Sequence, residues 1–205
     1  MTLDYHQLLR FVQQILPDFR LTRQRNLALL ALGISRVRDG HLTVSEIARY
    51  IPNRWDHWYK FKRMRRFLCN PRWHPQRLFA PLIAFLVARF PPGRYLPIIV
   101  DQSTIAGKWE VIWACLPFRG RALPIAFHLF SYRSIRQDPH GSQNRLEERF
   151  LCRLVRLLPP ETEPLFLLDR GYARASLIQL LETLPVRYVV RARKNVWIQH
   201  QGFQG

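Results

Sequence analysis

Acidic residues are scarce in this chain: 14 Asp and Glu stand against 32 Lys and Arg among 205 residues, which gives a formal net charge of +18. This imbalance argues against an ordinary enzyme for small neutral substrates. It predicts a polyanionic partner, DNA or RNA, with an anionic membrane surface as the weaker alternative. A disordered basic tail is disfavoured, because 48% of the residues are hydrophobic and 13% are aromatic. The length allows one or two domains with hydrophobic cores.

Cysteine and long apolar runs are also sparse. The three cysteines, Cys69, Cys115 and Cys152, are far apart, and no CxxC pair or Cys/His cluster has the spacing of a zinc site. We therefore expect reduced core cysteines in a cytoplasmic protein. The longest apolar stretch, residues 78–88, is too short to span a bilayer, and the N-terminus lacks the pattern of a signal peptide.

Helical periodicity dominates residues 1–92, where apolar residues recur at intervals of three and four. The predicted helices cover residues 8–16, 27–37, 46–51, 55–69 and 76–90. Pro91, Pro92 and Gly93 then mark a boundary. We predict two regions on this basis, a helical one at 1–92 and a second one at 93–205.

Runs rich in Val, Ile and aromatic residues replace the helical pattern in the second region. The predicted strands cover residues 95–101, 109–117, 122–132, a run that ends at Asp169, and 187–193. Predicted helices at 145–158 and 174–183 separate the last strands, and residues 134–144 form a predicted polar loop. The order β-β-β-α-β-α-β is typical of a ribonuclease-H-like core. We therefore predict an α+β or α/β architecture, an all-helical region followed by that core, incomplete at its C-terminus.

Two of the predicted strands end on an aspartate. Asp101 follows the apolar run 96–100, and Asp169 follows the run 165–168. Functional groups gather at the carboxyl ends of strands in such sheets. Two carboxylates that meet there can hold a divalent metal through their oxygens. The alternative is structural, because aspartate also caps turns and helices, and spacing alone does not decide between the two.

The residues around these aspartates resemble a known family. Asp101-Gln102-Ser103-Thr104 resembles the first catalytic motif of the DDE transposases of bacterial insertion sequences. Asp169-Arg170-Gly171-Tyr172 is similar to the second motif of the group named after insertion sequence four. The predicted strand order and the basic helical region ahead of it also match, so the resemblance covers essentially the whole chain.

This resemblance implies a nucleoid-associated DNA transposase that hydrolyses the ends of a mobile element and transfers them to target DNA. It implies that Asp101 and Asp169 are catalytic and ligate Mg²⁺ or Mn²⁺. It further implies that Arg170 and Tyr172 position the motif or nearby DNA, and that two copies of the chain form a homodimer in a paired-end complex.

One element of the family pattern is missing from this sequence. The family carries a third carboxylate in a Tyr-x2-Arg-x3-Glu-x6-Lys signature, whereas no acidic residue follows Glu182 here. Glu182 falls on the helix before the last predicted strand, which is the wrong element. Residues 193–198 read as the first strand of an insertion that often precedes the glutamate helix in the family. We therefore expect a truncated chain that binds metal weakly and catalyses strand chemistry inefficiently.

Three further acidic residues are weaker candidates. Glu110, on the second predicted strand, either approaches Asp101 across the hairpin or is simply solvated. Glu147 and Glu148 are expected on an exposed helix face, in ion pairs. None of the three is predicted to be catalytic.

Basic and aromatic residues are interleaved along residues 55–72. Those predicted to contact nucleic acid are Lys60, Lys62, Arg63, Arg65 and Arg66. Cationic side chains neutralise phosphates, and aromatic rings stack on bases. The alternative is a helix with a buried aromatic face and a solvated basic face. Residues 43–51 and 55–69 also fit a helix-turn-helix. A second basic row either faces DNA or only keeps its helix soluble: Arg145, Arg149, Arg153 and Arg156.

Two other functions remain open from the sequence. A DNA-binding protein without catalysis would bind DNA independently of metal and of the change Asp101→Asn. A cellular nuclease of the ribonuclease H or resolvase type should carry a complete acidic set within its own fold.

Overall fold

The computed structural model of the protein describes residues 4–38, 42–72, 74–90, 94–137, 141–192, 199–200 and 203–204. These residues belong to two compact units, Met1–Pro81 and Leu82–Gly205. The first unit is helical, and the second is built around a β-sheet. No helix in the described ranges is long and apolar enough to cross a membrane.

The helices of the first unit confirm the predicted helical character of the N-terminal part of the chain. Its helices are α1 Tyr5–Ile15, α2 Leu21–Arg36, α3 Val44–Arg49, α4 His57–Leu68 and a 3-10 helix Pro75–Leu78, and α5, Phe79–Val87, begins at its end. Helix α2 starts at Leu21 rather than at the predicted residue 27. The prediction missed its first turns because their residues are mostly polar and break the apolar pattern. The predicted fifth helix is divided between the 3-10 helix and α5.

Helices α3 and α4 begin at side-chain caps, which satisfy amide groups that no helical carbonyl can reach. The hydroxyl of Thr43 accepts a hydrogen bond from the amide of Glu46 at 3.1 Å. The carboxylate of Asp56 accepts from the amides of Trp58 and Tyr59, both at 3.0 Å. These two hydrogen bonds lower the pKa of Asp56. The Asp56 cap defines where α4, the predicted nucleic-acid helix, begins.

Helix α2 forms the centre of the first unit, where Ala28 and Leu32 are fully buried. It lies directly against α3 at Gly33, where a Cβ atom would lie 2.7 Å from both the side chain and the carbonyl oxygen of Ile47. The absence of a side chain at Gly33 therefore allows the two helices to pack this closely.

The second unit contains a mixed five-stranded sheet of order β3-β2-β1-β4-β5. Its strands are β1 Leu96–Ile105, β2 Trp109–Phe118, β3 Arg121–Phe130, β4 Pro164–Leu168 and β5 Arg187–Val190. The first three strands are antiparallel, whereas β4 and β5 are parallel to β1. The two hairpins turn on residues with positive φ: Ala106 and Gly107, then Arg119 and Gly120. Such pairs are typical of tight hairpin turns, which match the twist of the flanking strands.

Several boundaries in the second unit differ from those predicted. Strand β1 continues to Ile105 instead of ending at Asp101, because β2 continues to pair with it as far as Trp109. The predicted loop 134–144 overlaps a short helix, α6, at Tyr132–Gln137. Strand β5 ends at Val190, and the strand predicted at 193–198 lies outside the described residues.

Helices α7, Gln143–Leu157, and α8, Ala175–Thr183, lie in the connections to β4 and β5. Both contribute fully buried leucines to the core of the sheet unit, which also contains Phe166 of β4. A 3-10 helix, Arg170–Tyr172, directly follows β4, and a short antiparallel pair joins β6 Gln199–His200 to β7 Phe203–Gln204.

Candidate functional site

Asp101 and Asp169 occupy the same level in the sheet, where the parallel strands β1 and β4 lie side by side. Val100 pairs with Leu168, so Asp101, the next residue of β1, lies level with Asp169, the residue that directly follows β4. Adjacent strands lie about 4.8 Å apart. Buried and half-buried residues alternate in the same order along β1 up to Val100 and along β4 up to Leu168, and both aspartates that follow are exposed. The sheet therefore brings two carboxylates from distant parts of the sequence to one place.

Asp101 lies in the middle of β1 and not at its end, which corrects the prediction. The position is still open on one side, because β4 ends at Leu168 while β1 continues along β2. Burial, and secondly the negative charge of Asp101, raise the pKa of the Cys115 thiol on β2. Asp101 thus lies on a continuous strand, beside the point where the neighbouring strand β4 ends.

Asp169 also caps the short helix that follows β4. Its Oδ1 accepts a hydrogen bond from the amide of Arg170 at 2.5 Å. The structural role considered for this aspartate is therefore present. Capping and metal ligation are compatible, since a carboxylate has two oxygens and about four lone-pair positions.

The two carboxylates suit a hard divalent cation in donor chemistry and in exposure. Within the described residues, however, no group of three or more His, Cys, Asp or Glu is arranged to hold a metal ion. Glu182, on α8, accepts a hydrogen bond from the Tyr188 hydroxyl, and this contact raises the pKa of Tyr188 to about 12. Among the described residues, Asp101 and Asp169 are therefore two aligned carboxylates that do not belong to a larger cluster of His, Cys, Asp or Glu.

The two other residues of the second motif differ in their surroundings. Arg170 is exposed, whereas Tyr172 is buried, and its hydroxyl has no hydrogen-bond partner within the described part of the chain. Burial raises the pKa of Tyr172, and the negative charges of Glu147 and Asp101 add to the effect. The phenol therefore stays neutral. Of the two roles predicted for Tyr172, its burial favours positioning the motif over contacting DNA.

Two buried glutamates correct the sequence interpretation. Glu110, expected to be either near Asp101 or solvated, is buried and accepts hydrogen bonds from Gln102 at 3.1 Å and Thr104 at 3.0 Å. Glu110 shares one face of β2 with the fully buried Ile112, Ala114 and Leu116, and this spacing of two residues was visible in the sequence.

Glu147 is buried as well and does not lie on the exposed face predicted for it. Its carboxylate forms an ion pair with Arg174 at 2.5 Å, whereas Glu148 lies 3.8 Å from the same guanidinium. Glu147 precedes the buried Phe150 and Leu151 by three and four residues, so helical spacing already placed it on the apolar side of α7.

A basic groove lies between α2 and α4 in the first unit and has a volume of about 1100 Å³. Its basic lining residues are Arg20, Arg23, Lys62, Arg63, Arg66 and Arg72. The predicted contacts Lys62, Arg63 and Arg66 therefore share one concave surface with two arginines that the sequence pattern did not reveal, Arg20 just before α2 and Arg23 within it. Lys60 instead donates to the carbonyl of Ile51 at 2.9 Å, and Arg65 is exposed outside the groove lining.

Arg63 is held in place within this groove. Its Nε donates to Oδ1 of Asn26 on α2 at 2.7 Å, and its guanidinium lies over the Trp55 ring at 4.6 Å. The Lys62 ammonium lies 4.9 Å from the centre of the Trp58 ring, and the Trp58 side chain is 57% exposed. Phe67 is buried, whereas Trp58 and Tyr59 are exposed, so a buried aromatic face describes only part of α4. The exposed rings lie beside cations at the surface, and DNA contact by this helix stays a prediction.

A mixed sheet with two aligned aspartates, in a chain of this positive charge, indicates the class of enzymes that act on nucleic acid. Residues 93–203, more than half of the chain, match the family described as the transposase DDE domain, and the chain belongs to this family. No curated protein matches the sequence. Membership of the family confirms the predicted relationship to DDE transposases and supports an enzyme that acts on DNA.

Proposed function

We propose that this chain is a DNA transposase of the insertion-sequence-four-like group. In this proposal residues 1–92 bind DNA, and residues 93–205 form part of a ribonuclease-H-like catalytic domain. The observation that carries the proposal is the register that sets Asp101 beside Asp169 inside a transposase DDE domain. The sheet order β3-β2-β1-β4-β5 supports the assignment of the core.

Asp101 and Asp169 are the residues that would hold Mg²⁺ or Mn²⁺ in this function. The bound metal would supply charge stabilisation and an activated oxygen nucleophile for attack on a phosphodiester. The protein contributes the positions of the two carboxylates, one on a continuous strand and one in a capped turn. Tyr172 anchors that turn through its buried ring, and exposed Arg170 is placed to contact a DNA phosphate.

Strand cleavage and transfer in this proposal require a further carboxylate. The two aspartates alone would bind metal weakly, because the described residues contribute no third ligand to them. The same observation favours a second candidate function, a DNA-binding protein of transposase origin without catalysis. The two candidates share the basic groove and differ in their dependence on metal.

DNA binding is assigned to the groove between α2 and α4. Lys62, Arg63 and Arg66 would neutralise backbone phosphates there, and the exposed Trp58 would contact sugars or bases. Lys60 and Arg65 would lie at its periphery. A DNA substrate implies association with the nucleoid, and a complex that joins two DNA ends implies a homodimer.

Manganese binding tests the metal assignment directly. We expect electron paramagnetic resonance titration of the full chain to show a Mn²⁺ site that Asp101→Asn or Asp169→Asn weakens at least tenfold. The matched control is Asp18→Asn, because Asp18 is an exposed aspartate of the first unit. Equal Mn²⁺ binding by all four proteins would contradict the assignment. Saturable duplex binding in EDTA without a Mn²⁺ site would select the non-catalytic function.

A further inference from the structure

Polar side chains connect β1 to the N-terminal turns of α7 inside the second unit. Gln102, the residue after Asp101, accepts a hydrogen bond through Oε1 from Nε2 of Gln143 at 3.0 Å. The same Nε2 donates to Oε1 of Glu147 at 2.9 Å. Gln143 therefore bridges the strand of the first aspartate and the buried glutamate of α7.

The segment that follows β4 is attached to the same turns of α7. Arg174 donates through Nη1 to Oε2 of Glu147 at 2.5 Å and through Nη2 to the carbonyl of Asn144 at 3.3 Å. The backbone of this segment is closed by hydrogen bonds from the amide of Tyr172 to the carbonyl of Asp169, 2.9 Å, and from the amide of Arg174 to the carbonyl of Tyr172, 2.8 Å. Arg174 is thus fixed both to the turn of the second aspartate and to α7.

Glu147 is the residue where the two connections meet. It is 4% exposed. Its Oε1 accepts from Gln143, which also donates to Gln102 of β1, and its Oε2 accepts from Arg174 of the segment after β4. A buried carboxylate is strongly unfavourable unless charge and hydrogen bonds compensate it. The cost of burying the Glu147 carboxylate is offset by Gln143 and Arg174, which must both be held in a defined position. An apolar side chain would pack here without fixing the position of Gln143 or Arg174.

We propose that Glu147 is a positioning residue that holds the segments of Asp101 and Asp169 at a fixed separation through α7. The inference rests on the proposed function, because a shared metal site gives the separation of the two aspartates its chemical role. Glu147 itself contacts neither the metal nor DNA in this proposal. The competing explanation is an isolated ion pair that secures only the segment around Arg174.

Amide hydrogen exchange of the full chain, measured by mass spectrometry in metal-free buffer, separates these explanations. Glu147→Gln keeps the size of the side chain and removes its charge. We expect exchange to rise about tenfold in peptides covering residues 101–103 and also in those covering 170–174. The matched control is Glu148→Gln, which removes the same charge at the neighbouring position, 3.8 Å from Arg174. Its effect should be less than twofold in both segments.

Two further variants test the same coupling if Glu147→Gln is poorly folded. Gln143→Leu breaks the β1 connection and leaves the ion pair in place, and it should raise exchange in both segments. Glu147→Gln combined with Arg174→Gln restores a neutral hydrogen-bonded pair and should recover part of the protection in both. A response limited to residues 170–174, no response, or a uniform rise across the second unit would overturn the proposal.

Metal binding, measured separately, distinguishes failure of this inference from failure of the proposed function. If Asp101→Asn leaves Mn²⁺ binding unchanged, the metal assignment fails, while the exchange experiment still decides whether Glu147 couples the two segments. If both hold, Glu147→Gln should weaken Mn²⁺ binding about threefold to tenfold, and Glu148→Gln should not.

Discussion

Neutralising two cations of the groove should change the salt dependence of DNA binding by a calculable amount. Lys62 and Arg66 lie one helical turn apart on α4, both are exposed, and both line the groove. Changing them to glutamine leaves Arg63 bound to Asn26, so the packing of α2 against α4 is retained. Each phosphate neutralised on duplex DNA contributes about 0.9 to the slope of log affinity against log salt. The double variant should therefore lower the slope by about 1.8.

The loss of affinity follows from the same relation. A slope difference of about 1.8 corresponds to about a 60-fold weaker complex at 0.1 M salt if the two proteins converge near 1 M. Fluorescence anisotropy of a labelled duplex, titrated at several NaCl concentrations, gives both quantities. The matched control changes Arg10 and Arg25 to glutamine, since both are exposed and lie outside the groove lining while the net charge falls equally.

Two results would refute the assignment of this groove to DNA phosphates. One is an unchanged slope in the groove variant. The other is an equal reduction in the variant of Arg10 and Arg25, which would mean that only net charge matters. A weaker complex with an unchanged slope would indicate that the two side chains act through structure and not through phosphate contacts.

Three further predictions concern stability, each measured by urea denaturation. Gly33→Ala should destabilise the first unit, because overpacking against Ile47 costs about 1–3 kcal/mol, more than the about 0.8–1.0 kcal/mol gained in helix propensity; an unchanged midpoint would contradict this. Burial, and secondly Arg153, lower the pKa of His128, so stability should fall as pH drops below about 6.5. His128→Gln should flatten that profile, and identical profiles would refute the cause. Phe166→Ala should cost the second unit about 3–5 kcal/mol by leaving a cavity; a smaller loss would indicate local collapse.

The sequence motifs around the two aspartates were easy to recognise, whereas the extent of the strand that carries Asp101 was not. Asp101 and Asp169 follow apolar runs of strand-forming residues, and their motifs identified the family before the fold was known. The end of β1 was predicted wrongly, because Gln102 and Thr104 interrupt the apolar run although they remain paired with β2. Strand propensity depends on the residue itself, whereas pairing between strands depends on the backbone hydrogen bonds that the partner strand can form.

Buried charges were the least predictable part of the candidate site. Glu147 falls on the apolar side of α7 by spacing, yet a glutamate in a helix is usually solvated. Its burial depends on the ion pair with Arg174, which is distant in sequence. Arg174 comes close to Glu147 only when β4 pairs with β1. The α2 side of the basic groove, at Arg20 and Arg23, was hidden in the same way, since their proximity to α4 follows from helix packing.

Local physics, read from the sequence alone, determined the helical and strand-forming halves, both hairpin turns, the excess of positive charge and the two aspartate motifs. These properties depend on residues close in sequence: periodic apolar spacing, the freedom of Gly107 and Gly120 to adopt positive φ, and the scarcity of acids. Only the tertiary structure decided which strands are neighbours, that Asp101 and Asp169 share one level, and that Glu147 is buried between two partners. Those outcomes depend on register and on contacts between distant segments, and no local pattern encodes them.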